Sequence, residues 1–193
     1  LRICDGCTVS TTGNSPIVYH GGDLVLLGNV TAGSPPALNS SQSSITLSER
    51  CSSTSSLLIG GSAPVPGDGN QYAMVVLRRE LGLLSTADLV LHSLSGDIYV
   101  AGVDQQQHMG SVLGGKLSVT ASAGSVTFDD DGSSFSSNTG GGVDIYGESG
   151  LKVMQNVSNE DGVLSLQFIN GDLDIGDSAA SKSNVHIVST GSS

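Results

Sequence analysis

From residue 89 onward the sequence repeats one short design, two apolar side chains separated by a single residue. The pairs are Leu89/Leu91, Ile98/Val100, Leu117/Val119, Val126/Phe128, Val143/Ile145, Leu151/Val153, Leu164/Leu166, Leu173/Ile175 and Val185/Ile187. The steps between their first residues run 9, 19, 9, 17, 8, 13, 9 and 12, so short steps alternate with long ones. Taken in twos they give units of 28, 26, 21 and 21 residues. Such a unit, two walls around a tight corner followed by a longer return, is too small to bury its own apolar face and must stack on its neighbours. The period-2 geometry of a strand sends both members of each pair into the tube and the residue between them outward. Ser118, Thr127, Asp144, Lys152, Ser165, Asp174 and His186 hold outward positions, and all are polar. The pattern predicts an all-β chain, a single parallel β-helix (β-solenoid) with coils of about 20–28 residues, right-handed by the usual preference of parallel crossovers.

The first half is less regular. Leu24/Leu26 and Ile45/Leu47 lie 21 residues apart, which predicts one more coil, and residues 58–60 add a wall. Residues 34–44, with Pro35 and Pro36, and residues 62–70 read as surface excursions. Residues 73–84 leave strand and short helical turn both open, because Val75, Val76 and Leu77 favour the first and residues 78–84 allow the second. Without a sharp composition break, residues 1–193 read as one solenoid domain, with irregular coils over 1–87 and regular ones over 88–188.

Composition supports burial without a wide interior. Aromatic residues make up 4% and there is no tryptophan, so Val, Leu, Ile and Ala must fill the core. Hydrophobic content of 37% against 13% charged residues argues for a folded chain in spite of 27 glycines. The formal charge of -11 opposes phosphate backbones and anionic lipid, so no nucleic acid partner is expected. No apolar run approaches the 18 or so residues of a membrane helix, so no membrane insertion is expected. The opening at Leu1, without Met or a charged-then-apolar leader, reads as a processed chain or a segment of a longer one.

The segments GGDLVLLGNVTAG, SGDIYVAG, GGKLSVTASAGSVTF and NGDLDIGD resemble the coils of filamentous-haemagglutinin-type exoproteins and related parallel β-helices, over residues 88–188 and more loosely before them. The resemblance implies a secreted or cell-surface adhesive role. The expectation is a non-enzymatic extracellular structural protein. The open strand edges of its end coils would serve self-association into a fibre or stalk.

Several residues bear on chemistry. Cys4, Cys7 and Cys51 are the only cysteines. A lone CxxC lacks the second pair of ligands that a closed zinc site needs, and a redox helix context is missing. The expectation is one disulfide tying the N-terminal segment to Cys51, with one thiol free or paired to another chain, in an oxidising compartment. Asn29, Asn39 and Asn156 begin glycosylation sequons. An alternative reading gives the chain a polysaccharide-processing or glycan-binding role. Asp172 and Asp174 flank Leu173 on one outer face, roughly 6.5–7 Å apart, a spacing that suits an inverting acid pair. Asp129, Asp130 and Asp131 precede Gly132, and calcium is the cofactor such a loop would take, with a solvated turn as the plainer reading. GSVLGGK over 110–116 departs from a phosphate loop, since Leu117 replaces the metal-holding hydroxyl and a strand follows. His20, His92, His108 and His186 read as surface histidines.

Overall fold

A computed structural model describes residues 1–13, 15–21, 24–33, 43–49, 56–61, 72–103, 111–112, 115–128, 135–137, 140–160, 162–176 and 187–189. In chain order the elements are β1 (Arg2–Ile3), β2 (Thr8–Thr11), β3 (Ile17–Gly21), β4 (Val25–Leu26), β5 (Asn29–Ala32), β6 (Ser44–Glu49), β7 (Ser56–Gly60), β8 (Tyr72–Val76) and α1 (Arg78–Leu81). They continue with β9 (Leu84–Thr86), β10 (Asp88–Ser93), β11 (Ile98–Ala101), β12 (Ser111–Val112), β13 (Leu117–Ala121), β14 (Val126–Phe128) and β15 (Phe135–Ser137). The last are β16 (Val143–Gly147), β17 (Leu151–Val153), β18 (Val157–Asn159), β19 (Leu164–Phe168), β20 (Leu173–Ile175) and β21 (Ile187–Ser189).

Every described strand pairing is parallel. Successive strands of one sheet come from successive turns of the chain, and that makes the molecule a parallel β-solenoid. Face A stacks β3, β6, β10, β13, β16 and β19. Face B stacks β8, β7, β11, β14, β17 and β20. The return segments form a third wall, with β2, β5, β9 and β12 in one sheet and β15, β18 and β21 in another.

Register explains why the alternating pairs recur. On face A, Leu89, Leu117, Val143 and Leu164 lie directly over one another, as do Leu91, Val119, Ile145 and Leu166. Face B stacks Ile98, Val126, Leu151 and Leu173 in one column and Val100, Phe128, Val153 and Ile175 in the next. Most of these side chains are fully buried in one continuous core. Each contributes about 1.5–3 kcal/mol by leaving water. Phe128 and Phe135 meet edge to face at 5.4 Å and join face B to the third wall.

The first coils depart from the expected spacing. Leu24/Leu26 and Ile45/Leu47 do not stack: β4 ladders with β1, while Ile45 and Leu47 lie over Ile17 and Tyr19 of β3. The 21-residue step is a coincidence of two different walls. Residues 73–84 contain both candidate structures, a strand up to Val76 followed by the single helical turn α1. That strand is out of sequence. β8 follows β7 in the chain yet pairs along the edge of β7 opposite β11, so the chain steps back before it continues.

The corner glycines have two separate causes. Gly150 and Gly171 adopt φ of 134° and 93°, as a sharp bend requires. Gly124 does not have a positive φ. A Cβ there would overlap the carbonyl of Gly96 in the preceding coil and crowd Asp97 Oδ1, which accepts bonds from the Ser125 amide at 2.8 Å and hydroxyl at 2.9 Å. Gly124→Ala is therefore expected to cost about 2 kcal/mol through overpacking. Gly13→Ala, with φ of 66° and open space around the added carbon, is expected to cost about 1 kcal/mol through strain alone. Urea denaturation midpoints of the two variants give the comparison.

Candidate functional site

Among the described residues two carboxylates are buried in this apolar tube; one closes a corner between faces and the other bridges a break in the laddering. Glu49, the last residue of β6, is fully buried. It continues the inward parity of Ile45 and Leu47, where an aliphatic residue is expected. Its Oε1 accepts bonds from the Ser93 hydroxyl at 3.1 Å, the Leu94 amide at 2.7 Å and the Ser95 amide at 3.2 Å. One acid thus closes the corner of the next coil, where the chain turns from face A to face B. Its Oε2 is buried without a hydrogen-bond partner among the described residues.

Glu80, in α1, is 2% exposed. Its Oε1 accepts from the Leu26 amide at 3.1 Å and its Oε2 from the Leu77 amide at 2.9 Å. The second bond caps the helical turn, and the first reaches across to β4. That bridge sits where laddering fails, because β4 pairs with β1 and β8 pairs with β7, but β4 and β8 share no ladder. A cleft of 360 Å³ opens along this seam, lined by Leu24 and Val25 on one side and by Tyr72, Met74 and Val75 on the other. Tyr72 is held edge to face against Tyr99 at 5.6 Å. A buried acid on two amides is a structural stitch, with both oxygens occupied by backbone donors.

The outer face of sheet A is polar and cross-linked between coils. Asp88 Oδ1 accepts from the Lys116 amide at 2.7 Å, and the Lys116 ammonium is paired with Asp144 one coil further on. The Tyr146 hydroxyl donates to Glu148, which raises the phenol pKa, and Glu148 also accepts from the Asn170 amide group at 2.9 Å. His92 contacts the Ser122 hydroxyl at 2.7 Å. Burial lowers the His92 pKa below 6.5, the nearby Glu49 carboxylate opposes that shift, and His20 adds to it.

Asp174 lies in β20 and Asp172 just before it, and both are exposed. Asp174 lies beside Lys152 in the ladder. The cleft at β8 is at the opposite end of the same sheet, so it does not wall the acid pair. Asn29 and Asn156 are exposed, as a glycosylation site requires, whereas Asn39 lies outside the described residues. Asp129, Asp130 and Asp131 also lie outside them. Among the described residues no group of three or more His, Cys, Asp or Glu is arranged to hold a metal ion.

The cysteine expectation is corrected. Cys4 and Cys7 are bonded to each other, with Cα atoms 5.2 Å apart, so the N-terminal segment is not tied to Cys51, which lies outside the described residues. The reason is the tight turn between β1 and β2. The Cys7 amide donates to the Cys4 carbonyl at 3.0 Å and brings the two side chains within bonding range.

Neither buried acid was identifiable as functional from the sequence. Glu49 left one signal, a charge at an inward position of an alternating strand. Glu80 left none, because its partners are backbone amides. No family model matches this chain, and no curated protein or solved structure matches it significantly.

Glu80→Gln places an amide donor against one of two backbone donors and is expected to cost about 2 kcal/mol, with Glu80→Ala costing more, in chemical denaturation. His92 gives a pH prediction. Its folded pKa is depressed, so below about pH 6.5 the unfolded chain takes up the proton more readily than the folded one. Stability is expected to fall as pH drops from 7 through the lowered value, and His92→Gln should flatten that part of the profile.

Proposed function

We propose that the chain is a non-enzymatic extracellular structural or adhesive solenoid, a rod that assembles end to end into a fibre or stalk. One observation carries this reading. The large apolar side chains that remain exposed among the described residues are Leu1, Val9, Val18 and Leu27 near the first coil and Val163, Phe168, Ile169, Leu173 and Ile175 in the last. Among the described residues the middle of the stack contributes none. Exposed apolar groups that, among the described residues, lie towards the two ends of a rod, on sheets whose outer strands have no described ladder partner on one edge, suit lengthwise addition of another β-rich surface. The walls between are polar and inter-coil bonded, which suits a shaft facing water. The Cys4–Cys7 disulfide supports an oxidising, exported setting.

Size-exclusion chromatography with light scattering, over a range of protein concentrations in non-reducing buffer, tests the reading alongside negative-stain microscopy. The expected result is a mass that rises with concentration and particles that lengthen without thickening. Compact monomers at every concentration would contradict it.

A further inference from the structure

We infer that the partner at the end of the rod is a second copy of this chain, docked head to tail with β20 of one copy laddered against β1 of the next. Such a joint presupposes the end-to-end assembly just proposed and specifies how the ends meet. Among the described residues each of the two strands has one ladder partner, β17 for β20 and β4 for β1, and none on its other edge. Both alternate in the same sense. In β1, Ile3 lies over the buried Leu26 and points inward, while Arg2 lies over Val25 and is exposed. In β20, Leu173 and Ile175 continue the inward columns of Leu151 and Val153, and Asp174 stands outward beside Lys152.

Continuing the parallel ladder in register sets Leu173 over Leu1, Asp174 over Arg2 and Ile175 over Ile3 of the next copy. The match is chemical at each position. Leu173 and Ile175 are 42% and 49% exposed and Leu1 is 52% exposed, although all three have the parity of core residues. The joint would cover them as an internal coil covers its neighbours. On the outside it extends the run Lys152, Asp174, Arg2 with alternating sign, and opposite charges directly across a ladder attract. A tail-to-tail joint would instead face Asp172 and Asp174 with their own copies, and a head-to-head joint would face Arg2 with Arg2. Both juxtapose like charges. Contact between unlike ends is heterologous and does not close on itself, which gives filaments rather than dimers.

Charge reversal tests the register through complementation. Arg2→Asp and Asp174→Arg are exposed substitutions, and each alone turns attraction at the joint into repulsion. Sedimentation velocity is expected to show association weakened about tenfold or more in each variant. An equimolar mixture should recover wild-type assembly, because every joint between the two variants again pairs Arg with Asp. Recovery also shows that both variants are folded. If Arg2→Asp assembles as the wild type does, or if the mixture fails to recover, the register is wrong although end-to-end assembly survives. If the wild-type chain itself stays monomeric, the assembly reading falls together with the joint.

Discussion

The in-register stacking of like residues on parallel strands is the constraint on which the rest of this structure depends. Leu89 over Leu117 over Val143 is a column in which each side chain is buried by its copy in the next coil. No single coil has an interior of its own. Its aliphatic pair would be half in water without the coils on either side, so stability accumulates by nearest-neighbour contact along the axis. That arrangement explains the low aromatic content. A tube only two or three inward residues wide per wall is filled mainly by Leu, Val and Ile, and the two buried phenylalanines, Phe128 and Phe135, meet where two walls join.

The same constraint makes departures costly, and the chain places a buried acid at one of them. Stepping back to insert β8 breaks the ladder on face B, because β8 and β4 do not bond strand to strand. A ladder break inside a tube leaves amides without partners, and the Leu26 amide is one of them. Glu80 supplies an acceptor from a distance of 54 residues in sequence. Glu49 performs a related service where the chain turns between faces A and B, with three donors on one oxygen. A carboxylate suits both tasks, since it accepts several bonds and competes with no donor.

How much of this was legible in the sequence follows from the number of inward residues per strand. Strands with two aliphatics at alternate positions, such as Leu117–Ala121 and Leu151–Val153, announce themselves by period. The third wall does not. β15 offers Phe135 and Ser137 inward, β18 offers Val157 and Asn159, and one apolar residue followed by a polar one has no period to detect. These strands read as returns between walls. The first coils were misread for a different reason. Spacing alone cannot tell two strands of one wall from two strands of different walls, so Leu24/Leu26 and Ile45/Leu47 matched the repeat while belonging to separate sheets. Glu80 was invisible because hydrogen bonding to backbone leaves no pattern in side-chain identity.

Nearest-neighbour stability has a further consequence for the two ends. An internal coil has covered columns above and below, whereas among the described residues Leu173 and Ile175 are stacked only on Leu151 and Val153. The end coil therefore contributes its strand pairing and about half of the burial that the same residues would contribute inside the stack. Exposed aliphatics at such a position are not a failure of hydrophobic patterning, because the alternation of Leu173, Asp174 and Ile175 is that of every interior strand on face B. The pattern is complete and the covering layer is what differs. A surface with the periodicity of a core, on a strand with no described ladder partner on one edge, has the form that an interior strand of the same alternation covers elsewhere on face B.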